Sequence, residues 1–158
     1  MDVILWRHAV VLPVNAPDLE RQLSENGHLQ AAQTAEILNS HLPAQCRILV
    51  SPAKRAIQTA SALSREFQIV DSFAPGASHT DIIKELAWKT EGDLVNQVIV
   101  VVGHQPTMGM TISELLFGSQ RSIPVNNSEA YWVSQKIEDG KLKAYLRGVV
   151  KPELVCDW

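Results

Sequence analysis

Three apolar runs constrain this chain more than any other feature. Val98-Ile99-Val100-Val101-Val102 contains no polar residue, and Val3-Ile4-Leu5-Trp6 and Ile48-Leu49-Val50 read the same way. A strand with one wet face alternates apolar and polar side chains, whereas a strand covered on both faces need not. Unbroken β-branched runs therefore predict strands of a parallel sheet. Parallel neighbours in turn need crossover connections, usually helices.

The intervening sequence supplies them. Ser24 predicts an N-cap, followed at helical spacing by Leu29, Ala32, Ala35 and Leu38, with Pro43 as the stop. Ser51-Pro52 predicts a second start, a capping residue followed by proline at the first helical position. Ala56, Ala60, Leu63 and Phe67 then share one face. A third helix is expected from about Thr80 to Trp88 or beyond. A fourth is expected to start near Pro106, to bury Met108, Ile112 and Leu115, and to end at Gly118. Glu129 to Lys136 and Leu142 to Val149 are strand-like and flank Glu138-Asp139-Gly140, a hairpin signal. The expected fold is a three-layer α/β/α architecture with a mainly parallel sheet and an antiparallel edge.

At 158 residues the sequence fits one domain, expected to span 1–158. The formal charge of −3 argues against nucleic-acid binding through a broad basic surface and against docking on an anionic membrane. The Val98–Val102 run is far too short to span a bilayer. Met1-Asp2 opens without a basic leader, so no secretory signal is expected. Cys46 and Cys156 have neither metal-site nor disulfide-framework spacing, which predicts free thiols in a reducing cytoplasm.

In open α/β sheets, ligands bind beyond the carboxyl ends of the strands. Three segments fall there: Arg7-His8, Ser51-Pro52 with Arg55, and Gly103-His104. Two arginines, two histidines and two helix N-termini would make a cationic pocket in an acidic protein. Helix N-termini attract anions, and arginine matches phosphate oxygens in a bidentate fashion. The expected site binds an oxyanion, best a phosphoryl group. A neutral imidazole can also act as a covalent nucleophile, and flanking arginines favour the neutral form. The second histidine could be protonated and stabilise charge on the equatorial oxygens. Gly103 to Gly109 lacks the Gly-Lys-Ser/Thr ending of an ATP-binding loop, and no residues have metal-ligand spacing.

Four segments carry a family resemblance: Val3-Ile-Leu-Trp-Arg-His-Ala9, Arg21-Gln-Leu-Ser-Glu-Asn-Gly27, Leu49-Val-Ser-Pro-Ala-Lys-Arg-Ala-Ile-Gln-Thr-Ala60 and Val101-Val-Gly-His-Gln-Pro106. In this order they resemble the histidine phosphatase superfamily, and within it the short SixA-type phosphohistidine phosphatases. The resemblance implies that His8 accepts the phosphoryl group, that Arg7 and Arg55 clamp it, and that His104 is the second pocket histidine. It places Arg21 and Asp18 on the rim, although Asp18 also reads as a plain solvated carboxylate. Gln105 is a further candidate for substrate contact. No cofactor is implied.

Two departures bear on the reaction. Ala9 replaces the family's usual glycine, which predicts a backbone without positive φ there. Gln105 stands where many members carry an acidic general acid, and Phe73 to Thr80 has no carboxylate either. Asp81 and Glu85 read as first-turn helix residues, and His79 as an exposed loop residue. An alkoxide leaves badly without a proton donor, whereas imidazole, with a conjugate-acid pKa of about 6.5, leaves readily. The expected substrate is therefore phosphohistidine on a partner protein, such as a phosphotransfer domain or carrier. Small phosphate esters or anhydrides are the alternative, and a non-catalytic phosphate-binding module is the second.

Overall fold

A computed structural model describes residues 1–152. Cys156 lies outside the described residues; Cys46 is a half-buried free thiol. The first apolar run forms β1 (Asp2–Arg7), the second β2 (Arg47–Val50) and the third β4 (Val98–Gly103). A short β3 (Gln68–Ile69) follows α2 (Lys54–Ser61), and β5 (Ala130–Glu138) and β6 (Lys141–Val150) close the chain. The remaining helices are α1 (Glu25–His41), α3 (His79–Leu86) and α4 (Thr107–Phe117).

The strand order is β3-β2-β4-β1-β5-β6. The first four strands are parallel, and β5 runs antiparallel to β1. The hairpin turns at Asp139 and Gly140, both with positive φ (52° and 72°), as a two-residue primed turn requires. The expected mainly parallel sheet with an antiparallel edge is what forms.

The lack of alternation in the apolar runs has its explanation in two cores. Ile4, Trp6, Val100 and Val102 pack against α1 and α2 on one face, while Val3, Leu5, Ile99 and Val101 pack against α3 and α4 on the other. Ile99 through Val102 are fully buried, each contributing about 1.5–3 kcal/mol of transfer free energy.

Several boundaries differ from expectation. α2 begins at Lys54, with Ala53 as its N-cap, not at Ser51-Pro52. The Ser51 hydroxyl accepts from the Ala53 N–H (3.2 Å) but turns its other bond elsewhere. α1 is capped by Ser24 as expected, accepting from Gly27 N–H, but it buries Gly27, Ala31, Thr34, Ala35 and Leu38, leaving Leu29 and Ala32 exposed. The small residues face inward because the chain after β1 presses on the helix: a Cβ at Gly27 would collide with the Val10 carbonyl. α2 ends at Ser61, so Phe67 reaches the core from beyond the helix. α3 ends at Leu86, and Ala87 in the left-handed region (φ 50°) caps it before Trp88. Glu85 lies in its last turn, not its first, and faces Arg47 at 3.8 Å. His79 is the first helical residue and is buried rather than exposed.

Candidate active site

Register brings the site together. Arg7 pairs with Gly103 across the parallel β1–β4 ladder, and the next amide, His8 N–H, donates to the Gly103 carbonyl (3.0 Å). His8 and His104 are thus the first residues past two adjacent strands. Their ring centroids stand 5.2 Å apart, tilted by 53°. Arg55 arrives from the first turn of α2, itself set at the exit of β2.

Each histidine has one nitrogen committed. The His8 Nδ1–H donates to the Ala9 carbonyl (2.7 Å), an acceptor only, so Nε2 carries the free lone pair. The Ala9 peptide is held in turn, its N–H donating to Thr59 Oγ1 (3.0 Å), whose hydroxyl donates to the Arg55 carbonyl (2.8 Å). Ala9 is not among the residues with positive φ, as its side chain predicts. His104 Nε2 lies 2.7 Å from the Ser51 hydroxyl, while its Nδ1 is buried without a hydrogen-bond partner among the described residues.

Burial leads the electrostatics. The His8 pKa is lowered to about 4, first by desolvation, then by Arg55, Arg7 and Arg21, against the opposing bond to Ala9. His104 is lowered to about 3 by burial, then by His8, Arg55 and Arg7, with Asp18 acting the other way. At 5% exposure and beside another imidazole and two arginines, His104 is pushed toward its neutral form, against the protonated form that the sequence left open.

The arginines are anchored with donors to spare. Arg7 Nη1 donates to the Val125 carbonyl (2.8 Å), while its Nε is buried without a partner. Arg55 Nη1 donates to the Asp18 carbonyl (2.6 Å), and Nη2 lies 3.4 Å from the Asp18 carboxylate. Asp18 thus sits at the rim, with its side chain 58% exposed. Arg21 places its charge where His8 feels it; its backbone N–H donates to the Asp18 carbonyl (3.4 Å). Gln105 is differently engaged. Its amide donates to the Ile123 carbonyl (2.9 Å) and accepts from Gly109 N–H (2.7 Å), which staples the following loop and leaves little for a substrate.

Sequence reasoning missed the residues that hold the histidines. Ser51 read as a helix cap, and Thr59 was given no role. The 125–129 segment also braces the end of β1: Ser128 N–H donates to the Arg7 carbonyl, and Asn127 Nδ2 donates to that of His8. Thr59's place one helical turn after Arg55 was the single available signal. Burial pushes the Glu129 carboxyl up, but bonds from Asn126 and Lys151 hold it below its ordinary value. Among the described residues, no three His, Cys, Asp or Glu are arranged as metal ligands, and no helix is long and apolar enough to cross a membrane.

Comparison with known proteins follows the same lines. The model of the histidine phosphatase superfamily (branch 1) matches residues 3–75. No curated protein matches the chain in sequence. Among solved structures, the protein histidine phosphatase SixA complexed with tungstate superposes with a TM-score of 0.81 at 22% identity, over 99% of this chain and 100% of that one. A protein assigned as phosphohistidine phosphatase SixA from Nakamurella multipartitia gives 0.75 at 24% identity, over 96% and 95%. A mycobacterial glucosyl-3-phosphoglycerate phosphatase gives 0.61 at 17%, over 92% and 96%. The family match runs through the first two strand exits, and the chain shares its fold, third strand exit included, with the SixA structures.

Proposed function

We propose that this protein is a phosphohistidine phosphatase that works through a covalent intermediate on His8. One observation carries the reading. The His8 Nδ1–H is bound to Ala9, its Nε2 lone pair is free, and burial among arginines keeps the ring neutral down to about pH 4. A nucleophile must be deprotonated at the attacking atom and aimed, and His8 meets both needs. Arg7 and Arg55 bind the equatorial oxygens, and His104 supplies a further donor.

In the first step His8 Nε2 attacks phosphorus. A P–N bond forms to His8 as the P–N bond to the substrate imidazole breaks, and the leaving nitrogen takes a proton from solvent. In the second step water attacks phosphorus, a P–O bond forms, the bond to His8 breaks, and phosphate departs with the water proton passed to bulk. Neither step as written uses a metal.

The substrate class is argued from the acids around the site. Asp18 is engaged with Arg55, and Glu129 is held ionised by Asn126 and Lys151. Neither is placed to deliver a proton, which suits a leaving imidazole better than an alkoxide. We read residues 1–158 as one catalytic domain without a cap insertion, open to a phosphorylated side chain of another protein. The tungstate-bound SixA neighbour supports an oxyanion site in this fold. A second reading, a phosphatase of small esters, is favoured by the neighbour named for glucosyl-3-phosphoglycerate. The test is to incubate the protein with phosphohistidine and with aryl phosphate and search for a phosphoryl adduct by mass spectrometry. An adduct on His8 is expected; turnover with the adduct elsewhere overturns the assignment.

A further inference from the structure

Ser51 is fully buried at the exit of β2, and its hydroxyl has two contacts. It accepts from the Ala53 N–H (3.2 Å) and lies 2.7 Å from His104 Nε2. A hydroxyl carries one hydrogen, and a buried one needs an acceptor. The Ala53 amide is a donor, so His104 Nε2 is where that hydrogen goes. If Nε2 carried its own proton instead, the Ser51 hydrogen would be buried without an acceptor. His104 Nδ1 would also be a bare lone pair in a pocket built for an anion.

We propose that Ser51 is a positioning residue that locks His104 in the Nδ1–H tautomer, so that His104 meets the phosphoryl oxygens as a neutral hydrogen-bond donor. The inference rests on reading the pocket as a phosphoryl site. Two further observations agree with it. With Nε2 occupied, Nδ1 is the ring nitrogen left for a ligand, and it is buried with no hydrogen-bond partner among the described residues. The ring is also held neutral, so the tautomer rather than the charge decides which nitrogen donates. The two histidines are then held in the same Nδ1–H tautomer but present opposite nitrogens to the site: His8 spends its Nδ1–H on Ala9 and offers Nε2 as a lone pair, whereas His104 spends Nε2 on Ser51 and offers Nδ1–H.

The experiment is 15N NMR of the imidazoles in the wild-type protein, with the His104 resonances assigned by its replacement, alongside Ser51→Ala. The wild type is expected to show a protonated Nδ1 and an unprotonated Nε2 on His104 at pH 7. Ser51→Ala is expected to lose that single-tautomer signature and to bind vanadate about tenfold more weakly, with a similar fall in kcat, as loss of one well-placed hydrogen bond predicts. A wild-type His104 protonated at Nε2 overturns the proposal. So does a folded Ser51→Ala that keeps the Nδ1–H signature and full kcat. If Ser51→Ala does not fold, the wild-type spectrum decides alone. The tautomer is read without turnover, so a failure here is distinct from the missing His8 adduct that would overturn the phosphatase reading.

Discussion

His8 and His104 sit 5.2 Å apart, centroid to centroid, and neither ring is free to turn. Ala9 holds one through Nδ1 and Ser51 holds the other through Nε2. The pair is therefore set before a phosphoryl group arrives, and its chemistry can be tested one nitrogen at a time.

Replacing the nucleophile should separate chemistry from binding. His8→Ala is expected to lower turnover by at least about a thousandfold. Vanadate binding should survive in part, because Arg7 and Arg55 are anchored to Val125 and Asp18 rather than to His8. Kinetics and calorimetry on the same preparation check both halves, and near-wild-type turnover would remove His8 from the mechanism.

Acid should act on stability before it acts on the nucleophile. Both histidines have folded-state pKa values depressed from 6.5, to about 4 and about 3. The unfolded chain binds their protons first, so stability is greatest above pH 6.5 and falls as pH drops toward 4. Urea midpoints between pH 7 and pH 4.5 should decline, and the double variant His8→Ala/His104→Ala should flatten that decline. Turnover limited by His8 should persist to below pH 5; an acid limb centred on pH 6.5 would contradict the buried, neutral ring.

Asp18 and Arg55 should respond unequally. The exposed Asp18 carboxylate reaches Arg55 at 3.4 Å, while the backbone carbonyl of the same residue bonds it at 2.6 Å. Exposed ion pairs contribute about 0–1 kcal/mol, so Asp18→Asn should change kcat/KM less than about fivefold. Arg55→Lys removes the fork that matches phosphate and should cost about a hundredfold. Equal losses in the two variants would give the Asp18 side chain a larger role than its geometry supports.

Leaving-group preference tests the argument from proton donors. Phosphohistidine should be turned over orders of magnitude faster than alkyl phosphates, with aryl phosphates between them. Comparable kcat/KM on phosphohistidine and an alkyl phosphate would mean that a proton donor does serve the site.

Gln105→Ala should be read in the melting curve rather than in KM. It removes two bonds that tie the loop at Ile123 to α4, each worth about 0.5–1.5 kcal/mol. A drop in Tm with KM unchanged is the expected pattern, and a raised KM at wild-type Tm would return Gln105 to the substrate.

What was legible in the sequence was whatever local pattern dictates. The apolar runs gave the strands because both faces of this sheet are covered, and Arg7, His8 and His104 were visible because they directly follow such runs. The inward face of α1 was not. Its packing is set by how closely the chain after β1 approaches Gly27, a tertiary distance that no periodicity encodes. Ser51-Pro52 misled for a related reason. A serine before a proline is a good local cap, but here a histidine that follows a strand far along the chain also binds the hydroxyl, and the helix starts later, at Lys54. Charge was read by sign alone, and burial proved the larger influence on both imidazoles.

The Arg7–Gly103 register has a consequence for how such a protein can change over time. The spacing of the two histidines belongs to the central ladder, and the surface loops do not set it. Changes in the loops at residues 10 to 22 and 118 to 124 would act on the arginines and on the loop tied by Gln105 before they altered the distance between the two rings. What reaches the pocket and how the two rings are spaced are thus set by different parts of the fold.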